Sequence, residues 1–429
     1  MHKKKLRLSI FLLLALALIM VPVLTSCAED EATPAPTAAP TSGPATPPPD
    51  ALIKFGAIFD LSGPASGFHI PVHQGYVDYW AYVNEVKGGI NGIPVEAQFA
   101  DTQYKSSLVM SSYKDWVDDG VVVIFSNLSL ANDMLKDLLA RDQILMTTST
   151  GTVNTWWPVG WIYGPAPVYA EQCGLMLDYI AETWTGAEPA KVAILMPEAP
   201  YGHEPALAIP YGQMLGLQFV GEEYHPSLPG DLTPQLLRLK EAGADWIISF
   251  GMGHILTPIA QGLDQLNWHP NVVGLQDPYQ GMGEVVVKKP EMSALFEGFY
   301  GTMYSNPMGP GYTEWVPGYE LLFEAYKKYR DADATDFAHG FYRAFMPNMI
   351  MVEEAIKRTL DAVGYENLNG ATIKEYGFDT MKDFDAMGIG APITYTSDDH
   401  RGLQHMRIYQ WQSGEVVLVQ DWTKQPIIK

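Results

Sequence analysis

The sequence predicts an α/β protein whose body is built as two lobes of largely parallel sheet. Two observations carry this. From Ala51 onward, strand-like and helix-like segments alternate, and strands that alternate with helices pair in parallel through right-handed crossovers. The alternation runs to Thr147 and starts again near Glu171 with no tight sequence repeat, so the 429-residue chain holds two similar units.

The elements follow in order. Leu52–Phe59 reads as a buried strand, and Asp60–Gly67 as a Gly/Pro/Ser turn. Apolar positions at Tyr76, Tyr79, Ala81 and Val83 predict a helix over Val72–Val86. Glycines in Gly88-Gly89-Ile90-Asn91-Gly92 end it, and Val95–Ala100 is the next strand. Helix Leu108–Asp118 leads to strand Val121–Phe125, and helix Ala131–Arg141 to strand Ile144–Thr147. In the second unit, helix Glu171–Trp184 precedes strand Val192–Met196, helix Glu204–Leu215 precedes strand Leu217–Glu222, and helix Leu232–Ala242 precedes strand Trp246–Phe250.

The N-terminus predicts where the chain works. Lys3, Lys4, Lys5 and Arg7 precede an apolar run, Ile10–Val23, that is short for a membrane span, and the run closes on Leu24-Thr25-Ser26-Cys27. Basic head, short apolar core and small residues form a secretory signal over 1–27. Cys27 after Leu-Thr-Ser resembles the lipobox of bacterial lipoproteins, which implies cleavage before Cys27 and lipidation of its thiol. Residues 28–50 are mostly Ala, Thr, Pro, Ser and acidic residues. Such a segment buries too little apolar surface to offset its ordering entropy, and its prolines favour extension, so it reads as a tether.

Composition is globular, with 47% hydrophobic residues and mean hydropathy near zero. Loss of the four basic residues in 1–27 takes the formal charge from −22 to −26. That charge disfavours nucleic acid, which needs clustered Lys and Arg, and electrostatic docking on anionic lipid. Any membrane link then rests on the acyl chains. With Cys27 lipidated, Cys173 has no partner and reads as a packed thiol.

Five short motifs in order resemble one family. They are Asp60-Leu61-Ser62-Gly63-Pro64; Lys87-Gly88-Gly89-Ile90-Asn91-Gly92; Lys191-Val192-Ala193-Ile194 with Tyr201-Gly202; Gly298-Phe299-Tyr300; and Ser397-Asp398-Asp399-His400-Arg401-Gly402. The body, from Ile53 to Trp422, resembles the type I periplasmic solute-binding proteins of the branched-chain amino acid transporter class. The resemblance implies two doubly wound lobes, a three-crossing hinge and a ligand cleft between the lobes. The lobes expected are 51–169 with 301–403, and 170–300 with 404–429.

Ligands of open parallel sheets sit beyond the carboxyl ends of the strands, where helix N-termini suit a carboxylate. Two adjacent strands end in hydroxyl-rich loops, Ser126-Asn127-Leu128-Ser129 and Thr148-Ser149-Thr150-Gly151-Thr152. The resemblance places a carboxylate-binding serine at Ser129, a backbone contact at Thr150 and a threonine contact at Thr152. It sets Phe68 over the ligand side chain and Tyr201 on the cleft wall. The family's acidic contact for an ammonium falls on Gln276, with Asp277 next to it, and Met252 stands where the family can carry a tyrosine. If Asp277 faces the cleft, it can make a charge-assisted bond to an ammonium; if Gln276 does, a neutral or purely anionic solute fits as well as an amino acid. Trp156, Trp157 and Trp161 either pack the hinge or line an apolar pocket.

Catalytic motifs are missing from the sequence: no Gly-x-Ser-x-Gly, His-Glu-x-x-His, Cys-x-x-Cys or phosphate loop. His69 and His73 have the spacing of a helical metal pair, but Pro71 between them predicts a turn, and no third ligand is evident. Asp398-Asp399-His400 belongs to a late structural turn in the family pattern. The expectation is a lipid-anchored solute-binding protein without catalysis, metal or cofactor. It would serve the permease of an ATP-binding cassette transporter; the alternative is a sensing module for a membrane signalling partner.

Overall fold

The computed structural model describes residues 46–307, 315–330 and 340–429. Cys27, the expected signal and residues 28–45 of the expected tether lie outside them. Among the described residues, no helix is long and apolar enough to cross a membrane.

The first lobe is built on a six-stranded sheet. Its strands are β1 (Ile53–Phe59), β2 (Val95–Ala97), β3 (Ala100–Asp101), β4 (Val123–Ser126), β5 (Leu145–Thr147) and β6 (Ile162–Tyr163). The order is β2-β1-β4-β5-β6, with β3 pairing the end of β1. All pairs are parallel, with Phe55 opposite Val123 and Val123 opposite Leu145. Helices α1 (Ser66–Glu85), α2 (Ser106–Asp119), α3 (Ser129–Asp142) and the short α4 (Val153–Trp156) connect them.

The second lobe carries seven strands in the order β13-β12-β11-β10-β9-β7-β8. They are β7 (Lys191–Pro197), β8 (Gln218–His225), β9 (Trp246–Ser249), β10 (Asn271–Gly274), β11 (Tyr300–Met303), β12 (His405–Gln412) and β13 (Glu415–Lys424). The hairpin β12–β13 joins β11 antiparallel, and the rest is parallel. Strand β7, between β9 and β8, is buried from Val192 to Met196, as a strand covered on both faces must be. Its helices are α5 (Tyr169–Thr183), α6 (Ile209–Met214), α7 (Thr233–Glu241), α8 (Leu256–Gln265) and α9 (Gln276–Lys288). Two more, α10 (Pro317–Arg330) and α11 (Met346–Val363), return to the first lobe and pack on α1.

Most element boundaries fall within a few residues of the expectation, but three expectations change. Helix α1 begins at Ser66 and runs through Pro71, so His69 and His73 lie one turn apart on a helix and not in a turn. Pro71 removes one intrahelical bond, yet Phe68, His69, Val72 and Tyr76 bury on either side of it. The helix is also held at its start: the Asp60 carboxylate accepts from Gly63 N–H at 2.6 Å and Ala65 N–H at 2.7 Å. A Cβ on Gly63 would stand 2.2 Å from Asp60 Oδ1, which explains the glycine. The helix expected over Glu204–Leu215 is a 3₁₀ stretch, Pro200–Ala208, followed by α6, because Pro205 and Pro210 remove helical donors. Finally, Gly301–Met303 belong to the second sheet and not to the first lobe as expected. Strand β11 is hydrogen-bonded on both sides, by β10 and β12, and cannot be divided at residue 300.

Three chain crossings run side by side between the lobes. Gly164 N–H donates to His400 C=O, and Gly402 N–H donates to Gly164 C=O. Asn306 N–H donates to Ile389 C=O, and Tyr304 N–H to the side-chain carbonyl of Gln276 at 3.0 Å. Arg401, 2% exposed, pairs with the fully buried Glu171 and holds Asp399 in a fork at 2.8 and 2.6 Å. Burial pushes the Glu171 carboxyl up to about 7, against the pull of Arg401. The Arg401 guanidinium lies 4.3 Å from the ring of Trp157, and Lys429 Nζ lies 4.6 Å from the same ring.

Candidate ligand site

The strand orders fix where a site forms. In the first sheet the chain goes from β1 to β2 on one side, then crosses to β4 on the other. In the second it goes from β7 to β8, then crosses to β9. Each pair of strands with diverging connections leaves a crevice at its carboxyl ends, β1 with β4 and β7 with β9. One cavity of about 40 Å³ draws on both crevices. Ala65, Phe68 and His69 reach it after β1, and Asn127 and Ser129 after β4. From the second lobe come Tyr201 after β7, and Gly251 and Met252 after β9. Leu128, Thr150, Tyr104 and Tyr169 also line it.

The first-lobe wall is held by a network of small polar groups. Ser149 N–H donates to Asn127 Oδ1 at 3.0 Å. Asn132 Nδ2 donates to Thr148 Oγ1 and to Thr150 C=O, each at 3.0 Å. Thr147 Oγ1 donates to Asn348 Oδ1 at 2.6 Å, and Asn348 Nδ2 donates to Ser149 Oγ. Helix α3 opens at Ser129 on this wall, where its first-turn N–H groups lack intrahelical acceptors. Ser129 itself is largely buried beside them. Donors and partial positive charge thus converge on one end of the cavity, the arrangement an anion takes.

The aromatic wall is equally built in. Phe68 packs edge-on against Phe341 and Phe345, with ring centroids 4.7 and 5.6 Å away. Tyr201 lies against Phe250 at 5.8 Å and Tyr169 at 6.4 Å. Burial pulls the His69 imidazole down to about 3, so the ring is neutral at ordinary pH.

Of the residues expected from sequence, Phe68, Ser129, Thr150 and Tyr201 lie together on the cavity. The backbone of Thr150 is committed within its loop: its N–H donates to Thr148 Oγ1, and its carbonyl accepts from Asn132. Thr152 lies in an adjoining mouth of about 430 Å³ with Asp133 and Glu204. There its hydroxyl donates to Asp133 at 3.3 Å and caps α4 by accepting from Thr155 N–H. Gln276 does not line the cavity. Its carbonyl oxygen binds Tyr304 N–H at the hinge, and its own N–H donates to Gln172. The side chain of Asp277 lies outside the described residues. Met252 lines the cavity as the resemblance placed it, while Trp156 and Trp157 pack against the hinge.

Sequence reasoning passed over His69, Tyr104, Asn127 and Tyr169 as wall residues. Asn127 was legible as part of the strand-end loop; Tyr169 was not, because the helix it opens was expected to begin at Glu171. His69 was obscured by Pro71. Among the described residues, no group of three or more His, Cys, Asp or Glu is placed to hold a metal ion.

The chain belongs to the periplasmic binding protein family, whose profile matches residues 52–415. Solved structures with the same fold include a branched-chain amino acid ABC transporter protein from Thermus thermophilus with bound valine. It is 22% identical with a TM-score of 0.74, over 87% of this chain and 96% of that one. A fatty acid ABC transporter substrate-binding protein from Thermomonospora curvata is 20% identical with a TM-score of 0.71, over 89% and 94%. The substrate-binding protein of a branched-chain amino acid transporter from Streptococcus pneumoniae, in complex with isoleucine, is 16% identical with a TM-score of 0.67, over 86% and 99%. No curated protein sequence matches the chain significantly.

Proposed function

We propose that this chain is an extracytoplasmic solute-binding protein, held at a membrane by a lipid on Cys27. It captures a small carboxylate-bearing solute between its lobes and delivers it to the permease of an ATP-binding cassette transporter. The observation that carries this reading is the cavity at both topological switch points, with α3 opening onto it at Ser129. Hinge closure around a ligand is an established use of two such lobes. The structural neighbours are consistent with a carboxylate: one holds valine, another isoleucine, and a third belongs to a fatty acid transporter.

Thermal shift against a library of amino acids, aromatic acids, fatty acids and short amides tests it. A ligand that binds only the folded protein raises the midpoint, by about 2.7 kcal/mol of stability at a concentration 100 times Kd. Carboxylates should supply the hits. Turnover of a hit, or hits restricted to cations, would overturn the reading.

A further inference from the structure

Two side chains on the cavity wall bury polar atoms that no described residue pairs. His69 is 1% exposed, and its Nδ1 is buried without a hydrogen bond. The ring meets the aromatic rings of Phe59 and Phe68 at 6.2 and 5.2 Å. Asn127, 5% exposed, gives its Oδ1 to Ser149 N–H and leaves its Nδ2 buried without an acceptor. Buried polar atoms left unpaired are costly and rare, and at a cavity wall they mark the place of a partner from outside the chain. Both residues front the same cavity.

The described wall also lacks formal charge. None of the described residues lining the cavity is Asp, Glu, Lys or Arg, and burial keeps the His69 ring uncharged. A carboxylate is still accommodated, because the start of α3 and the Ser129 hydroxyl supply donors. Among the described residues, a buried ammonium on this wall would meet only neutral groups, without the opposite charge a buried ion requires. A neutral imidazole offers one donor and one acceptor, and the Asn127 amide offers a donor. Asn127 and Ser129 lie two residues apart on one strand-end turn. A group bonded to Asn127 therefore sits next to the carboxylate held at Ser129.

We propose that His69 and Asn127 contact the solute, and that the solute is a carboxylate bearing an uncharged hydrogen-bonding group, such as a hydroxyl, where an amino acid bears its ammonium. This rests on the carboxylate site proposed above. Asp277, whose side chain lies outside the described residues, is the acceptor the sequence offers an ammonium, so the test includes that residue.

Calorimetry on the full chain with two matched series decides it: phenylalanine, 3-phenyllactate and 3-phenylpropanoate; and leucine, 2-hydroxy-4-methylpentanoate and 4-methylpentanoate. Within each series only the substituent beside the carboxylate changes. The hydroxy acid should bind at least about tenfold more tightly than the amino acid. His69→Phe should weaken the hydroxy acid about tenfold and leave the unsubstituted acid within about twofold, because the latter never used the imidazole. Asn127→Asp keeps the Oδ1 contact to Ser149 and replaces the donor with an anionic acceptor. It should weaken both acids and improve the amino acid, and it carries the test if His69→Phe fails to fold. A preference for the amino acid that is lost in Asp277→Asn would overturn the inference and leave the carboxylate site standing. Equal weakening of all three ligands by His69→Phe, with their order unchanged in Asn127→Asp, would likewise overturn it, since both side chains would then only pack. Binding of none of the six would overturn the carboxylate site and this inference together.

Discussion

At the scale of single residues, two hydroxyls that look alike in sequence are differently employed. Ser129 stands on the cavity at the first residue of α3. Thr152 is tied to Asp133 and Thr155 in the mouth. Ser129→Ala should weaken a carboxylate by about 1–3 kcal/mol, or roughly five- to hundredfold in Kd, with little change in Tm. Thr152→Ala should act the other way round, losing a cap worth about 1 kcal/mol of stability while affinity moves less. Calorimetry and thermal melts on the two variants separate these roles; equal affinity losses would place Thr152 on the ligand. Much of this wall was readable in advance, because two strand-end loops rich in Ser and Thr can sit only at the carboxyl edge of a parallel sheet. The commitment of each hydroxyl was not readable, since it depends on partners such as Asn132 and Asn348, distant in sequence.

Among elements, the alternation of strands and helices was legible because parallel strands read as apolar runs and amphipathic helices as spaced ones. What was not legible was tertiary override. Pro71 reads as a breaker, yet α1 continues through it because the buried face on either side outweighs one lost bond. The division at residue 300 failed for a similar reason: a strand belongs to the sheet that bonds it, and β12 comes from more than a hundred residues later. The packing of α5 against the hinge supplies a further test. The raised Glu171 carboxyl binds its proton more readily in the folded chain than in the unfolded one, where the ordinary value is 4.5. Its contribution is therefore fully present below about pH 4.5 and is lost as pH rises through about 7. Relative to Glu171→Gln, the wild type should lose on the order of 3 kcal/mol across that window in denaturant titrations. A constant difference would mean that Arg401 holds the carboxylate ionised throughout.

For the molecule as a whole, the proposed anchor and the folded body are separable. Cys27→Ser should yield a precursor or a soluble form whose melting curve matches that of the wild type, with loss of the protein from the detergent phase in partitioning. Unchanged retention would remove the lipid from the proposal. The acidic surface leaves little else to hold the body to an anionic bilayer.

The same variant has a practical use that follows from Cys173. That thiol is fully buried in α5, and burial pushes it up to about 12, so it stays protonated and out of reach of alkylating reagents. A Cys27→Ser chain is thus chemically blank toward maleimide dyes without further engineering. One cysteine at Lys114 on α2 and another at Glu241 on α7, both exposed and on opposite lobes, would accept a donor and an acceptor fluorophore. Energy transfer between them should rise on adding the solute and reach half of its full change at the Kd measured by calorimetry. A flat signal at saturating ligand would mean that the lobes already stand closed.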